Sequence, residues 1–296
     1  MTVTVAVSFD LGSLDPEGAE SVCLACGATA VTFVDSRDDP VLEPLPGEMP
    51  LWPATRLSAL FLDAIEPRAL AAGVAAALGL APGLVTAEVL PERAWEREWL
   101  KDFHAMRFGE RLWVCPRHEH VSEAYAAVVT LDPGLAFGTG THPSTALCLT
   151  YLDRHADRLS APGARVIDYG CGSGILALAA AKLGAAEVHC FDIDGQALIA
   201  TRDNALENAV AGVVRVYGRA AELPTGVDLL MANILSGPLC TLAPAFAALL
   251  RPRGEAVLAG IMRHEVHDVT GAYAPWFDVE VCGESGDWSC LYALRR

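Results

Sequence analysis

Residues 166–174, VIDYGCGSG, end an apolar run in a loop with glycines at 170, 172 and 174, and a helix-favouring stretch, 175–184, follows. About twenty residues beyond the loop, a second strand-like run finishes on Asp192 and Asp194. Glycines at these places let backbone approach a ligand that a Cβ would strike. A helix opening directly behind them offers its N-terminus to a carboxylate, and an acid at the tip of the next strand suits ribose hydroxyls. The spacing is GxGxG and not the GxGxxG of dinucleotide enzymes. It favours S-adenosylmethionine, which has no pyrophosphate to cradle, over a nicotinamide. The chemistry implied is methyl transfer.

Other residues are candidates for this site. Asp192 is the natural ribose ligand, while Asp194 competes for that role or caps the next helix. Asp168, just before the loop, is expected to brace the turn. Asn233, in MANIL (231–235), ends a strand beside the cleft, where its amide could accept a hydrogen bond from an incoming amine and aim the lone pair. The alternative is a turn asparagine. Upstream, residues 132–145, DPGLAFGTGTHPST, carry glycines at 134, 138 and 140 and prolines at 133 and 143, a shaped loop able to cover a ligand. In it Phe137 could lie against a sulfonium cation, and His142 reads as a proton acceptor or a loop brace. Ser144 and Thr145 are expected to cap a helix over 146–152, with a hydroxyl within reach of the cofactor.

No catalytic base is assigned. The methyl group already sits on a sulfonium, so delivery of a neutral amine in line with it is a matter of positioning. A free lysine at pH 7 lies roughly 3.4 units below its pKa, so deprotonation costs about 4.6 kcal/mol; an α-amine needs only about 1.4 kcal/mol. An apolar channel and a neighbouring sulfonium both lower an amine's pKa.

The elements that must position these residues are legible around them. Strands are expected at 165–169, 187–192, 213–217, 227–234 and 255–261, and helices at 175–183, 195–208, 238–250 and 264–276. Two last strands, 277–282 and 289–294, have no helical pattern between them and are expected to pair antiparallel. This is an α/β fold with a Rossmann-like, mainly parallel sheet. Before it, Val3, Val5, Val7 and Phe9 alternate with Thr2, Thr4, Ala6 and Ser8 as a half-buried strand. Asp15-Pro16 opens a helix and Gly27 closes it. Strands at 30–36, 57–62 and 84–90 and a helix at 67–78 complete a βαββαβ order, a small ferredoxin-like α+β domain. The expected division is 1–90 for that domain, 91–118 for a linker helix and connection built around WEREW (95–99), and 119–296 for the methyltransferase domain.

Composition sets the class of partner. The 296 residues are 52% hydrophobic, enough for full cores, and the formal net charge is −16. An acidic protein is poorly suited to holding phosphates, so no direct nucleic acid binding is expected; a basic partner would be steered toward it. Nine scattered cysteines and no signal segment fit a cytoplasmic protein. The lone pair Cys23 and Cys26 is not expected to bind metal or act in redox chemistry. No segment reads as a membrane span.

Together the motifs DPGLAFGTGTHPST, VIDYGCGSGILALAAAKLGA, FDID, RDNALENA and MANIL, with PVLEPLPGE, WEREW and FHAMRFGERLWVCP outside the cofactor domain, resemble the PrmA-type lysine methyltransferases of large-subunit ribosomal protein eleven. The resemblance covers nearly the whole chain. It implies an N-terminal ferredoxin-like substrate-recognition domain, a hinge-like linker and a C-terminal methyltransferase domain. Matched motif by motif, the family's cofactor-binding residues fall on Thr145, Gly170, Asp192 and Asn233, with Gly172 in the same glycine loop. The implied activity is S-adenosylmethionine-dependent trimethylation of lysine side-chain and N-terminal α-amines of ribosomal protein eleven, by an enzyme expected to be a monomer. Other readings are weaker. A methyltransferase acting on a planar amide or a base would more often show an NPPY-like sequence, whereas Asn233 is followed by Ile234, Leu235 and Ser236. A dehydrogenase needs the other glycine spacing. A non-catalytic module would not keep the loop, Asp192 and Asn233 together.

Overall fold

The computed structural model describes residues 4–37, 51–62, 66–90, 104–131 and 140–296. By contact density the chain divides into two units, 1–98 and 99–296.

The first unit is a four-stranded antiparallel sheet with two helices on one face. In chain order it contains β1 (Thr4–Asp10), α1 (Pro16–Ala25), β2 (Ala30–Asp35), β3 (Thr55–Leu62), α2 (Pro67–Leu78) and β4 (Thr86–Leu90). The sheet order is β2-β3-β1-β4, the ferredoxin-like arrangement expected from βαββαβ. The alternation in β1 resolves as read: Val5, Val7 and Phe9 are buried with Leu57, Ala59, Phe61, Val74 and Cys23. Asp15 caps α1 by accepting the Gly18 N–H at 2.7 Å, with Pro16 in the first helical turn. Cys23 belongs to this core and Cys26 is exposed, so the pair is split between interior and surface.

The second unit begins with a three-stranded sheet of β5 (Met106–Phe108), β6 (Leu112–Cys115) and β7 (Ala127–Thr130). Residues 106–115, placed by the sequence reading in a connection, therefore form a hairpin of the larger unit. The buried positions Phe108, Leu112 and Val114 join that unit's core, and strands of three and four residues carry too short an alternation to be distinguished from a linker. WEREW lies outside the described residues, as do PVLEPLPGE and residues 132–139 with Phe137.

The remaining elements are α3 (Pro143–Arg154), α4 (Ala156–Leu159), β8 (Arg165–Tyr169), α5 (Ile175–Lys182), β9 (Glu187–Phe191), α6 (Gly195–Glu207), β10 (Val214–Tyr217), β11 (Val227–Asn233), α7 (Ser236–Leu249), β12 (Leu250–Met262), α8 (Val266–Tyr273), β13 (Phe277–Ser285) and β14 (Trp288–Arg295). The sheet order is β10-β9-β8-β11-β12-β14-β13. Strands β8 to β12 run parallel, and β14 pairs antiparallel with both β12 and β13. Successive residues on β8 point to opposite faces. Val166 packs with Leu149, Leu178 and Ala205 of α3, α5 and α6, while Ile167 packs with Leu239, Phe246 and Val269 of α7 and α8. The chain moves outward from β8 to β10, then returns to place β11 on the other side of β8. That reversal sets the carboxyl ends of β8 and β11 side by side, where α/β sheets of this kind bind ligands. Among the described residues, no helix is long and apolar enough to cross a membrane.

Candidate active site

A cavity of about 710 Å³ opens at this switch point. It is lined by Thr145 of α3, the β8–α5 loop, Asp192 and Ile193 after β9, Asn233 at the end of β11, and the first turns of α7. The five candidate cofactor residues read from sequence, Thr145, Gly170, Gly172, Asp192 and Asn233, span 88 positions of the chain, and all five meet here.

The glycine loop is held by backbone and side-chain bonds on every side. The N–H groups of Gly170 and Cys171 both donate to the Phe191 carbonyl, at 2.7 and 3.0 Å. Gly170, Gly172 and Gly174 have φ of 78°, 54° and 82°, a region that side chains disfavour. A Cβ on Gly170 would run into the Ile234 side chain. Asp192 accepts the Gly172 N–H at 2.9 Å through one oxygen and the Asp194 N–H at 3.0 Å through the other. Each oxygen keeps a further lone pair for a hydroxyl. Asp194 is the N-cap of α6, accepting the Gln196 N–H at 2.9 Å.

Asp168 is 1% exposed. One of its oxygens accepts the Ala177 N–H at 3.0 Å, bracing the loop against α5. Its Oδ1 is buried with no partner. Burial pushes this carboxyl up to about 7, the Ala177 N–H offsets part of that, and the nearby Asp192 raises it further. Asn233 donates through Nδ2 to the Thr145 hydroxyl at 3.1 Å.

Ser144 and Thr145 do not cap α3, contrary to expectation. The helix begins earlier, at Pro143, and its cap is His142, whose Nδ1 lies 3.3 Å from the Ser144 N–H nitrogen and 2.7 Å from the Ser144 hydroxyl. The imidazole stands edge-on to Trp288, with ring centroids 4.7 Å apart, and burial lowers its pKa. His142 is a brace and does not line the cavity.

Three supporting residues, two on α6 and one at its C-cap, escaped the sequence reading. Thr201 donates its hydroxyl to the Gly172 carbonyl at 3.0 Å, and Asn204 donates to the Ser173 carbonyl at 2.8 Å. Asn208 pairs with both backbone groups of Thr130, accepting its N–H at 2.8 Å and donating to its carbonyl at 2.7 Å. The signal was available in residues 201–208, TRDNALEN. Thr201, Asn204 and Asn208 recur at helical spacing on one face, and poor helix formers placed there imply a task beyond forming the helix.

The cavity fits a cationic nucleoside. Its floor is cleared of side chains by glycines, its walls include Ile193, Ile234, Leu235, Pro238 and Leu242, and among the described residues its lining holds two carboxylates and no lysine, arginine or histidine. Similarity to known proteins agrees. The family model described as ribosomal protein L11 methyltransferase (PrmA) matches residues 5–296. The chain belongs to this family. PrmA relatives include the ribosomal protein L11 methyltransferase of Alkalilimnicola ehrlichii, 45% identical over 294 residues and covering 98% of both chains. That of Vibrio cholerae is 45% identical over 273 residues, covering 91% of this chain and 90% of the relative. Among solved structures, the ribosomal protein L11 methylase of Lactobacillus delbrueckii subsp. bulgaricus is similar with a TM-score of 0.59 and 29% identity, covering 66% of this chain and all of that one. The protein is therefore an S-adenosylmethionine-dependent methyltransferase. This PrmA-family enzyme has the Rossmann-like fold and the cofactor expected from its glycine spacing.

Proposed function

We propose that this enzyme trimethylates lysine side-chain amines and the N-terminal α-amine of ribosomal protein L11. The observation that carries the reading is the Asn233–Thr145 hydrogen bond at the cavity wall. With Nδ2 held by the threonine hydroxyl, Oδ1 is the amide atom left to accept an amine N–H and to turn the nitrogen lone pair toward the methyl donor. When bound, S-adenosylmethionine supplies an electrophilic methyl on a sulfonium. Gly170 and Gly172 would receive its amino-acid portion, and Asp192 would receive the ribose. The chain's own residues exclude water with Ile234, Leu235, Pro238 and Leu242 and hold the amine's direction. Desolvation there favours the neutral amine, and among the described residues the lining contains no histidine or lysine to serve as base.

The four-stranded first unit is the substrate-recognition domain in this reading, followed by a linker and the methyltransferase domain. A formal charge of −16 suits a basic protein substrate and not a nucleic acid. The enzyme acts as a cytoplasmic monomer, where ribosomal proteins are synthesised. The deciding experiment is the intact mass of purified ribosomal protein L11 after incubation with enzyme and S-adenosylmethionine. Stepwise additions of methyl groups that vanish without the cofactor support the proposal. An unchanged mass with cofactor binding intact discards this substrate and leaves the methyltransferase assignment standing.

A further inference from the structure

The rim of the cavity divides by topology. In the sheet order β9-β8-β11, the glycine loop follows the central strand. Asp192 and Ile193 follow β9 on one side of it, and Asn233 and Leu235 lie at the end of β11 on the other. In the proposed reaction the ribose sits on the first side and the incoming amine on the second. Among the described residues of the lining, Ile193 and Leu235 are the large apolar side chains that stand exposed, at 94% and 51%. Ile193 then borders the cofactor, and Leu235 borders the path of the amine. A single exposed leucine is ordinary on a protein surface, but this one has its main chain braced in advance. Its carbonyl accepts the Leu239 N–H at 3.1 Å, in the first turn of α7. The next residue, Ser236, donates its hydroxyl to Glu265 Oε1 at 2.6 Å, and Glu265 Oε2 accepts the Met262 N–H at 2.8 Å, which ties the turn to the end of β12. A half-exposed apolar group on a braced backbone loses little freedom when a second apolar group packs on it.

We infer that Leu235 is a specificity-determining residue, which packs against the methylene stem of an incoming lysine and so favours lysine side-chain amines over the N-terminal α-amine. The two amines differ in what carries them. A lysine amine ends a flexible four-carbon stem, whereas the α-amine is borne on a backbone carbon beside a polar peptide group. Asn233 does not tell them apart, because either amine presents it with the same N–H. An apolar wall two residues further along the chain does, since it gains contact only with a stem. The α-amine has the lower pKa and is the easier of the two to deprotonate. Contact with the leucine offsets that advantage in favour of lysine. The inference rests on the amine-methylation reading and names the feature of the substrate that the rim selects.

The test is a competition within one substrate molecule. Unmethylated ribosomal protein L11 is incubated with the full-length enzyme and saturating S-adenosylmethionine, quenched early and digested. Peptide masses then give the initial rates at lysine side chains and at the α-amine separately. Both amines belong to the same protein, so substrate docking, cofactor affinity and the fraction of folded enzyme cancel from the ratio of the two rates. Leu235→Ala should lower the lysine to α-amine ratio about tenfold, the scale on which small apolar contacts discriminate substrates. Leu235→Met restores an apolar chain of similar volume and should return the ratio toward that of wild type. Leu235→Gln, similar in length but polar at its end, should lower the ratio as alanine does, and it decides the matter should the alanine variant not fold. An unchanged ratio in these two variants, whatever their overall rate, overturns the inference and leaves the amine reading intact. A wild-type enzyme that adds no methyl group to ribosomal protein L11 overturns both.

Discussion

The side-chain amide of Asn233, at the end of β11, donates to the hydroxyl of Thr145, in the first turn of α3, at 3.1 Å. Thr145 is 1% exposed, so its hydroxyl cannot turn away to water. An asparagine amide can otherwise rotate and exchange its oxygen for its nitrogen. In the reaction proposed above, the exchange would set a donor where the amine is received.

This bond gives the first prediction. Thr145→Ser keeps the hydroxyl and most of the turnover, while Thr145→Val lowers kcat about tenfold by freeing the amide. Asn233→Ala loses about a hundredfold, the scale on which small misplacements of reacting groups act. Steady-state methyl transfer to ribosomal protein L11 checks both, and full turnover from Asn233→Ala would sink the assignment.

Gly170 and Ile234 form a second testable pair. Alanine at 170 would meet the Ile234 side chain and take up a φ of 78°. Gly170→Ala should weaken S-adenosylhomocysteine binding by about tenfold or more and lower Tm. Adding Ile234→Ala should recover part of the binding but not the backbone strain, which is worth of order 1 kcal/mol. A double variant no better than the single one would place the defect elsewhere.

Asp153, near the end of α3, accepts three backbone N–H groups of the β5–β6 hairpin: Glu110 at 2.5 Å, Arg111 at 3.0 Å and Leu112 at 2.8 Å. It is 7% exposed, so Asp153→Ala leaves the buried Leu112 donor and two part-buried donors unmatched and should destabilise the second unit by about 2 kcal/mol. Urea unfolding followed by tryptophan fluorescence measures this, with Trp113 of β6 among the reporting residues. An unchanged midpoint would mean that water replaces the carboxylate.

Asp168 also predicts the pH dependence of the ligand-free enzyme. Its folded pKa is raised from 3.8 to about 7, so between these values the native state binds more protons than the unfolded chain. Stability must then fall as pH rises through that window, by up to about 4 kcal/mol, and level off above it. Thermal melts of wild type minus those of Asp168→Asn between pH 4.5 and 8 isolate the effect. A flat difference would show the carboxylate to be better solvated than its burial implies.

Much of this was legible in sequence because it is local. Strands β8 and β9 and helices α5 and α6 were placed to within a residue or two, since alternation and caps such as Asp15 and Asp194 are short-range signals. The candidate site residues converge because Rossmann-like topology brings strand ends together. What escaped depends on partners distant in the chain. Asp153 looks like an ordinary helix-end acid until its partners 41 to 43 residues upstream are seen. His142 took the cap of α3 ahead of Ser144 because Pro143 could open the helix one turn early. The strands of the β5–β6 hairpin were too short to announce themselves beside the tryptophans of WEREW.

Ile234 is hemmed in from two directions, for a Cβ on Gly260 would collide with its carbonyl as one on Gly170 would with its side chain. Positions 170, 234 and 260 are thereby a single steric unit assembled from three strand ends. Across homologues they should drift together or not at all: a smaller residue at 234 can relax the demand at 170, but nothing short of rerouting the backbone relieves 260. Evolutionary variation in the cofactor loop is thus limited by a residue 64 positions downstream of Gly170, just past the end of another strand.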